Sequence, residues 1–142
     1  AASDVYKRQA LINGIGGSIN YRDPSWQGFE GEDLIATIDL GKEQIINHIK
    51  ARFLQDQVVW IFLPKMIQIE HSIDGINYEL AYEFYPDNSF SYDQDIFEYS
   101  VDLNNVNTRY VRVRGLNINE CPDFHPGAGG PSWVFADEII IK

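Results

Sequence analysis

Short segments in which apolar and polar residues alternate are the feature that most limits what this chain can fold into. The alternation is clear in residues 34–40, 45–54, 67–69 and 110–114, and Gly41 is expected to close the first of these segments. A period of two residues is typical of a strand with one buried face. No segment carries apolar residues at i, i+3, i+4 and i+7 for long enough to predict a helix. The chain is therefore predicted to be all-β.

Four further segments complete the predicted set of strands. An apolar run at residues 58–63 ends at Pro64, which is typical of an edge or bulged strand, and residues 78–84 and 97–103 are further candidates. The β-branched residues 139–141 suit a final strand that is buried on both faces. About eight short strands at roughly 8–12-residue spacing predict an antiparallel β-sandwich. We expect the chain ends to lie near one another, with the loop before the final strand at the opposite end of the sandwich from the C-terminus.

Length and charge exclude several classes of protein. The 142 residues suffice for one domain with a hydrophobic core. A net charge of −10 argues against nucleic acid and anionic lipid as partners, because both bind clustered cations. The single Cys121 forms no internal disulfide, and no apolar run of about 18 residues predicts a membrane span. Residues 1–9 lack strand alternation and the apolar core of a signal peptide, so we interpret them as a non-native or disordered lead and residues 10–142 as the domain.

Several motifs occur together in a fixed order along the chain. They are Asp39-Leu40-Gly41, Ser72-Ile73-Asp74-Gly75-Ile76-Asn77-Tyr78, Thr108-Arg109-Tyr110-Val111-Arg112-Val113 and the final Asp137-Glu138-Ile139. In order and spacing they resemble the discoidin family, also called the coagulation factor 5/8 type C domain, which includes carbohydrate-binding module family 32. The resemblance runs from about Ala10 to Lys142 and implies a discoidin-like jelly roll.

Two aromatic stretches narrow the resemblance. Residues 21–31 around Trp26, and the run Cys-Pro-Asp-Phe-His-Pro-Gly-Ala-Gly-Gly at 121–130, are similar to the version found at the C-terminus of bacterial family 20 β-N-acetylhexosaminidases. The family has another strand before Ala10, which residues 1–9 do not match, so part of the first strand is expected to be missing. The resemblance implies a module that is secreted, periplasmic or on the cell surface through its parent chain.

A calcium ion is the first ligand that the resemblance implies. Many family members hold calcium between the loop after the first strand and the start of the last strand, and calcium takes about six to eight oxygen ligands. By resemblance the ligands here are the carbonyl groups of Ala10, Ile15 and Asp137, the Asn13 side chain, the Ser18 carbonyl and hydroxyl, and the Glu138 carboxylate. Asn13 stands where the family usually has Asp, which should weaken the site. The alternative is a self-sufficient turn in which Glu138 caps nearby amides.

A sugar is the second candidate ligand. Sugars present apolar C–H faces to aromatic rings and hydroxyl groups to planar polar groups, so loop aromatics beside His or Arg favour a glycan site. The best candidates are Trp60, Phe124 and His125, with Tyr21 and Arg22. Large aromatics are nevertheless more often core than ligand platform. We expect Trp26 and Trp133 to pack under their loops, and His125 alternatively to bond its own loop's backbone.

Signatures of catalysis are missing from the sequence. It has no Gly-x-Ser-x-Gly, and the glycines at 127–130 lack the Lys-Ser/Thr of a phosphate loop. A family 20 catalytic barrel needs about 250 residues. Together with this absence, the resemblance implies a monomeric, non-catalytic module that positions a parent glycosidase on glycans. The rival interpretation is a structural domain whose loops pack against the parent's catalytic domain and bind nothing soluble.

Overall fold

The computed structural model of the protein describes residues 16–142, which form an all-β structure with six strands and no α-helix in that range. The strands are β1 (Gln27–Glu30), β2 (Leu34–Gln55), β3 (Met66–Ser72), β4 (Glu79–Phe84), β5 (Asp95–Leu116) and β6 (Trp133–Ile141). One short 3-10 helix covers Gln57–Val59. All pairings are antiparallel, in the order β1-β6-β2-β5-β3-β4. No helix within residues 16–142 has the length and apolar character needed to cross a bilayer.

The two longest strands pass through both layers of the fold. β2 and β5 have 22 residues each and pair along nearly their whole length. The ladder between them is interrupted between Asp39 and Gln44 and again between Ile46 and His48. Bulges bend a strand and increase its twist. They therefore mark the corner at which the sheet turns over on itself.

Burial confirms that the sheet folds into a sandwich. Alternate residues of the first half of β2, such as Ile38, and of its second half, such as Phe53, bury the same face in one core cluster. The close approach of Gly115 to Phe53 shows that the two ends of the long ladder meet, because a Cβ at Gly115 would lie 3.3 Å from Cε1 of that ring. The predicted fold class is confirmed, with core alternation as expected in both halves of β2.

The structure has fewer strands than predicted, partly because two pairs of predicted strands each form one continuous strand. Gly41 does not close a strand: it takes a φ of 91° inside the bulge, and β2 continues through it. In the same way the segments 97–103 and 110–114 belong to one strand, β5, which turns at Asn105 with a φ of 49°. In sequence, a turn-forming residue inside a bulge looks like the end of a strand. In the structure, the pairing with the neighbouring strand resumes after the bulge.

The predicted strand at residues 58–63 is also wrong. Its first part belongs to the 3-10 helix, and Trp60 ends that helix in the left-handed region with a φ of 72°. Ile61 makes isolated bridges to Asp56 and Trp133 instead. β6 begins beside this turn and ends beside β2, where Lys142 N donates to His48 O at 2.9 Å. The loop before β6 therefore lies at the far end from the C-terminus; the N-terminal end lies outside the described residues.

Candidate functional site

Three loops converge at the end of the sandwich where β6 begins. They cover residues 56–63, 85–94 and 117–132, and the buried Gln57 joins them. Its Nε2 donates to Ser89 O at 2.9 Å, and its Oε1 accepts from Ser91 N at 3.1 Å. Its backbone carbonyl accepts from the His125 ring at 2.6 Å. Buried amides must satisfy their hydrogen bonds, so this residue fixes the three loops relative to one another.

Trp60 lies on the glycine-rich part of the third loop. A Cβ built on Gly127 would lie 2.5 Å from Cζ2 of the Trp60 ring, and one on Gly130 would lie 2.7 Å from its Cζ3. Only glycine allows the backbone to come so close to the indole. The ring is half-buried, so part of its surface still faces solvent. The glycines therefore hold Trp60 in place as one wall of a site.

His125 holds its loop in place through both ring nitrogens. Gly127 N donates to Nδ1 at 2.9 Å, so Nδ1 carries no proton, and Nε2–H donates to Gln57 O. The imidazole packs edge-on against Trp60, with 5.8 Å between ring centroids. Only 7% of the residue is exposed. His125 therefore positions Trp60 and lines the site, and its nitrogens already bond to the protein.

The pocket beside Trp60 is walled by aromatic rings. Its volume is about 140 Å³, and it is lined by Gln57, Val58, Trp60, Phe90, Ser91, Tyr92, His125 and Pro126. Phe90 packs edge-on against both Tyr92 and Phe124, at 4.6 and 5.7 Å between centroids. These three rings stay 54%, 75% and 46% exposed. Exposed aromatic clusters at a concave surface mark ligand-binding sites more often than core.

Sequence reasoning missed two of these rings. Phe90 and Tyr92 follow the polar run Pro86–Ser89, and this run is typical of an ordinary surface loop. The available signal was their spacing: aromatics two residues apart, each flanked by polar residues, are unusual in a solvent-exposed loop. Asn88 explains their presentation, because it bonds the backbone of Leu63 through both amide atoms, at 2.9 and 2.7 Å. The loop is thereby fixed to the layer beneath it.

Tyr21 and Arg22 lie at a second pocket. This pocket has a volume of about 270 Å³ and is lined by Tyr21, Val59, Ile61, Trp133 and Phe135. The Arg22 guanidinium lies 5.4 Å from the Tyr21 ring centroid, and its Nε donates to the Tyr21 hydroxyl at 3.1 Å. Of the five predicted sugar ligands, Trp60 and His125 therefore line one pocket and Tyr21 lines the other, while Phe124 and Arg22 pack beside them. Trp26 is buried under the adjacent loop, where its Nε1 donates to Ser18 O at 2.7 Å.

A bulge in β6 places an acidic pair beside the first described loop. Ala51 pairs with Ile139 and Phe53 with Ala136, so Asp137 and Glu138 both lie opposite the single residue Arg52. This break in the alternation buries Asp137 completely. Its Oδ2 accepts from Gly17 N at 2.6 Å, while its Oδ1 faces Arg52 Nε at 3.3 Å without a hydrogen bond. Burial raises the pKa of the Asp137 carboxyl, and the Gly17 amide and Arg52 oppose that shift.

The predicted calcium ligands are only partly within the described residues. Ala10, Asn13 and Ile15 lie outside them. Ser18 is exposed: its carbonyl accepts from Trp26, and its hydroxyl accepts from Asn20 N at 3.3 Å. Glu138 is half-buried, and within residues 16–142 its carboxylate has no hydrogen-bond or ion-pair partner. No group of three or more acidic, His or Cys side chains forms a metal cluster in that range.

The motif at residues 72–78 is a structural turn. The Asp74 carboxylate accepts hydrogen bonds from the backbone of Ile76 and Asn77 and from the side chains of Ser72 and Asn77, at 2.8–2.9 Å. These donors, led by the Asn77 amide, hold the pKa of Asp74 well below its ordinary range. A pocket of about 380 Å³ beside the turn has no Trp, Tyr or Phe in its lining. The motif therefore specifies the β3–β4 hairpin and provides no aromatic platform.

Comparison with protein families identifies a match. The profile of the F5/8 type C domain family matches residues 1–130 of the chain, a range that includes residues 1–9. The domain boundary predicted at residue 10 stays a prediction. No curated protein matches the chain.

Solved structures share the fold at low sequence identity. A CBM32 module, CpGH89CBM32-6 of Clostridium perfringens, is 19% identical with a TM-score of 0.55, covering 94% of this chain and 82% of that one. The C-terminal domain of a chitobiase from Bacteroides fragilis is 16% identical with a TM-score of 0.51, covering 94% and 78%. The CBM32 of AlyQ, in complex with 4,5-unsaturated mannuronic acid, is 16% identical with a TM-score of 0.53, covering 95% and 84%. At such identities the likeness is one of fold.

Proposed function

This chain belongs to the F5/8 type C domain family, and from that membership we propose that it is a non-catalytic carbohydrate-binding module. The glycan binds in the pocket beside Trp60, which we call the Trp60 pocket. One observation carries the proposal: exposed aromatic rings surround a concave site that the protein holds rigid through the buried Gln57 and His125. Aromatic walls suit the apolar faces of a sugar ring, and a rigid site loses little entropy when it binds.

Chemistry at the Trp60 pocket supports binding rather than catalysis. Among its lining residues the only titratable side chains are Tyr92 and His125, and both His125 nitrogens are engaged. Glycoside hydrolysis usually needs a pair of carboxylates about 5–10 Å apart, and none lines this pocket. The described residues of this site can therefore hold a sugar without acting on it.

The proposal extends to the identity of the parent enzyme. The sequence resemblance to family 20 hexosaminidases is supported by the shared fold of the chitobiase C-terminal domain. In this view the module belongs to a secreted, periplasmic or cell-surface bacterial glycosidase, acts as a monomer, and keeps the catalytic domain near its substrate. The AlyQ module, whose complex holds a sugar acid, supports a saccharide as the ligand class.

A specific surface also favours contact with a catalytic domain. Leu80 and Tyr82 lie on the edge strand β4 and are 52% and 53% exposed, and Tyr85 just beyond it is 70% exposed. An edge strand with apolar side chains is a common place for another chain or domain to pack. None of these three side chains lines the Trp60 pocket, although Tyr85 begins the loop that carries Phe90 and Tyr92.

Removing either exposed ring of the Trp60 pocket is expected to weaken glycan binding. Phe90→Ala and Tyr92→Ala each remove an aromatic wall, and the loss of one stacking ring should weaken binding by roughly tenfold, about 1.4 kcal/mol. Affinity electrophoresis on polymers containing N-acetylglucosamine or galactose measures the effect. Tyr82→Ala on β4, an equally exposed aromatic outside both pockets, should migrate as the unmodified protein does. If the folded protein is not retarded by any glycan, the binding proposal fails.

We also propose that the loop at Ser18 and the bulge of β6 share a calcium ion. The Glu138 carboxylate, without a partner in residues 16–142, and the Ser18 carbonyl and hydroxyl supply the hard oxygen ligands that calcium prefers. Arg52 occupies one side of the Asp137 carboxylate, so Asp137 contributes its backbone carbonyl. Ala10, Asn13 and Ile15 complete the proposed set. The ion would tie the first loop to the last strand.

Calcium is then expected to raise the melting temperature. A ligand at roughly 100 times its Kd stabilises the folded state by about 2.7 kcal/mol. Thermal unfolding with calcium and with excess chelator should therefore differ by several degrees, and Glu138→Gln should remove that difference. Glu120→Gln, an exposed carboxylate in another loop, should leave it unchanged. Equal melting temperatures in calcium and chelator would refute the calcium proposal.

A further inference from the structure

The pocket that contains Tyr21, which we call the Tyr21 pocket, is built on the outer face of the sheet. Trp133 and Phe135 leave β6 on the face opposite the main core, where they join a second cluster around Trp26, Leu54 and Ile61. The cluster is incomplete, because a hollow of about 270 Å³ opens between Tyr21, Val59, Ile61, Trp133 and Phe135. Tyr21, Val59, Trp133 and Phe135 are only half-buried, so the hollow is reached from solvent.

A single ridge separates the Tyr21 pocket from the Trp60 pocket. Val58 lines one pocket and its neighbour Val59 lines the other, so the 3-10 helix Gln57–Val59 forms the ridge. The walls are also joined across the chain, since Trp133 N donates to Trp60 O at 2.9 Å and Ile61 bridges to Trp133. The two pockets are therefore fixed relative to each other.

The rim of the Tyr21 pocket carries groups that suit a sugar rather than a lipid or an apolar peptide. Arg22 is exposed beside the pocket, and its contacts with the Tyr21 ring and hydroxyl hold both polar groups at the edge of an aromatic floor. A guanidinium offers several N–H donors to hydroxyl or amide oxygens in a fixed geometry. With a net charge of −10, the chain favours a neutral ligand over an anionic membrane.

We infer that the site takes a glycan chain of at least two sugar units, with one ring in the Trp60 pocket and the next in the Tyr21 pocket, across the ridge of Val58 and Val59. The inference rests on the proposed function. A monosaccharide fills one pocket only, whereas a linked second ring binds at a high effective concentration and gains affinity without a second loss of translational freedom. The module therefore recognises the interior or end of an oligosaccharide rather than a single terminal sugar.

Calorimetric titration of the full chain with N-acetylglucosamine and with its β-linked di- and trisaccharide tests the inference, with galactose and lactose as a second series. The disaccharide is expected to bind at least tenfold more tightly than the monosaccharide in the series that binds. Tyr21→Ala and the exposed Arg22→Ala should each remove most of that gain and leave monosaccharide affinity unchanged. Tyr82→Ala should change neither affinity, and Arg22→Ala decides the matter if Tyr21→Ala does not fold.

The outcomes separate the two proposals. Equal affinity for mono- and oligosaccharides in the unmodified protein overturns the two-ring site and leaves the sugar-binding function standing. An equal loss for both ligands on changing Arg22 also overturns it, because the Tyr21 pocket would then act only by supporting the other pocket. If no saccharide of either series binds, both the inference and the proposed function are overturned.

Discussion

Replacing Gly127 with alanine is expected to abolish most glycan binding while leaving the sandwich folded. The new methyl group would lie 2.5 Å from Cζ2 of Trp60, which is closer than a side chain tolerates. The indole ring must therefore move away from the loop. Inserting a methyl into a packed contact costs roughly 1–3 kcal/mol. Because Trp60 is the wall that His125 and Gln57 position, its displacement removes the pocket itself. Affinity on glycan polymers should fall by at least tenfold.

A second glycine-to-alanine substitution, at a position with room for the methyl group, serves as the control. A Cβ on Gly16 would meet its nearest atoms at 3.6 Å, an ordinary contact, so Gly16→Ala should bind glycan as the unmodified protein does. Near-ultraviolet circular dichroism, which reports on fixed indole rings, should change for Gly127→Ala and not for Gly16→Ala. Unchanged binding by a well-folded Gly127→Ala protein would show that Trp60 does not form the sugar site.

Replacing Asn117 with aspartate is expected to destabilise the fold strongly. The buried Asn117 side chain donates from Nδ2 to the carbonyl groups of Phe29, Glu32 and Ser132 at 3.1, 3.0 and 3.3 Å. Its Oδ1 accepts from Asn119 N and the Ser132 hydroxyl at 2.7 and 2.6 Å. A carboxylate of the same shape turns the three donor contacts into repulsions, at a cost of about 3–5 kcal/mol.

The destabilisation should depend on pH with a definite sign. In the folded state the introduced carboxyl is buried among acceptors, so its pKa is raised above the unfolded value of about 3.9. The loss in the variant's free energy of unfolding, relative to the unmodified protein, is therefore smallest below that pH. It grows as the pH rises through the folded-state pKa. Urea unfolding at several pH values measures it. Asn104→Asp, the same change at an exposed position, should show little of this loss, and a deficit independent of pH would contradict the mechanism.

The core could be predicted from the sequence because alternation is a local signal. Leu34, Ala36 and Ile38, and then Ile49 and Phe53, alternate with more exposed residues and are buried as expected. Continuity of the strands could not be predicted in this way. Whether Gly41 ends a strand or lies in a bulge depends on β5, whose Tyr110 and Thr108 pair on either side of the interruption. That partner is far away in sequence, and no local pattern reports it.

The residues of the site could be predicted only in part. Trp60 and His125 line one pocket, and Phe124 packs beside it against Phe90. The sequence predicts these residues because loop aromatics beside a His suit a sugar. Phe90 and Tyr92 were not foreseen, since their position depends on Asn88 and Gln57 bonding across loops. The separation of Tyr21 and Arg22 into their own pocket likewise depends on the 3-10 turn, where the apolar run at 58–63 predicted a strand.

The passage of β2 and β5 through both layers has a consequence for how the domain opens. Neither layer can detach while the other stays intact, because each layer contains half of the same two strands. We therefore expect amide hydrogen exchange in the core of both layers to report one common opening free energy, with faster exchange confined to loops. Leu34 pairs with Gly115 and Gln55 with Asp95, so the chain must close long loops before this ladder forms. Such non-local pairing makes folding slow, on the order of milliseconds to seconds.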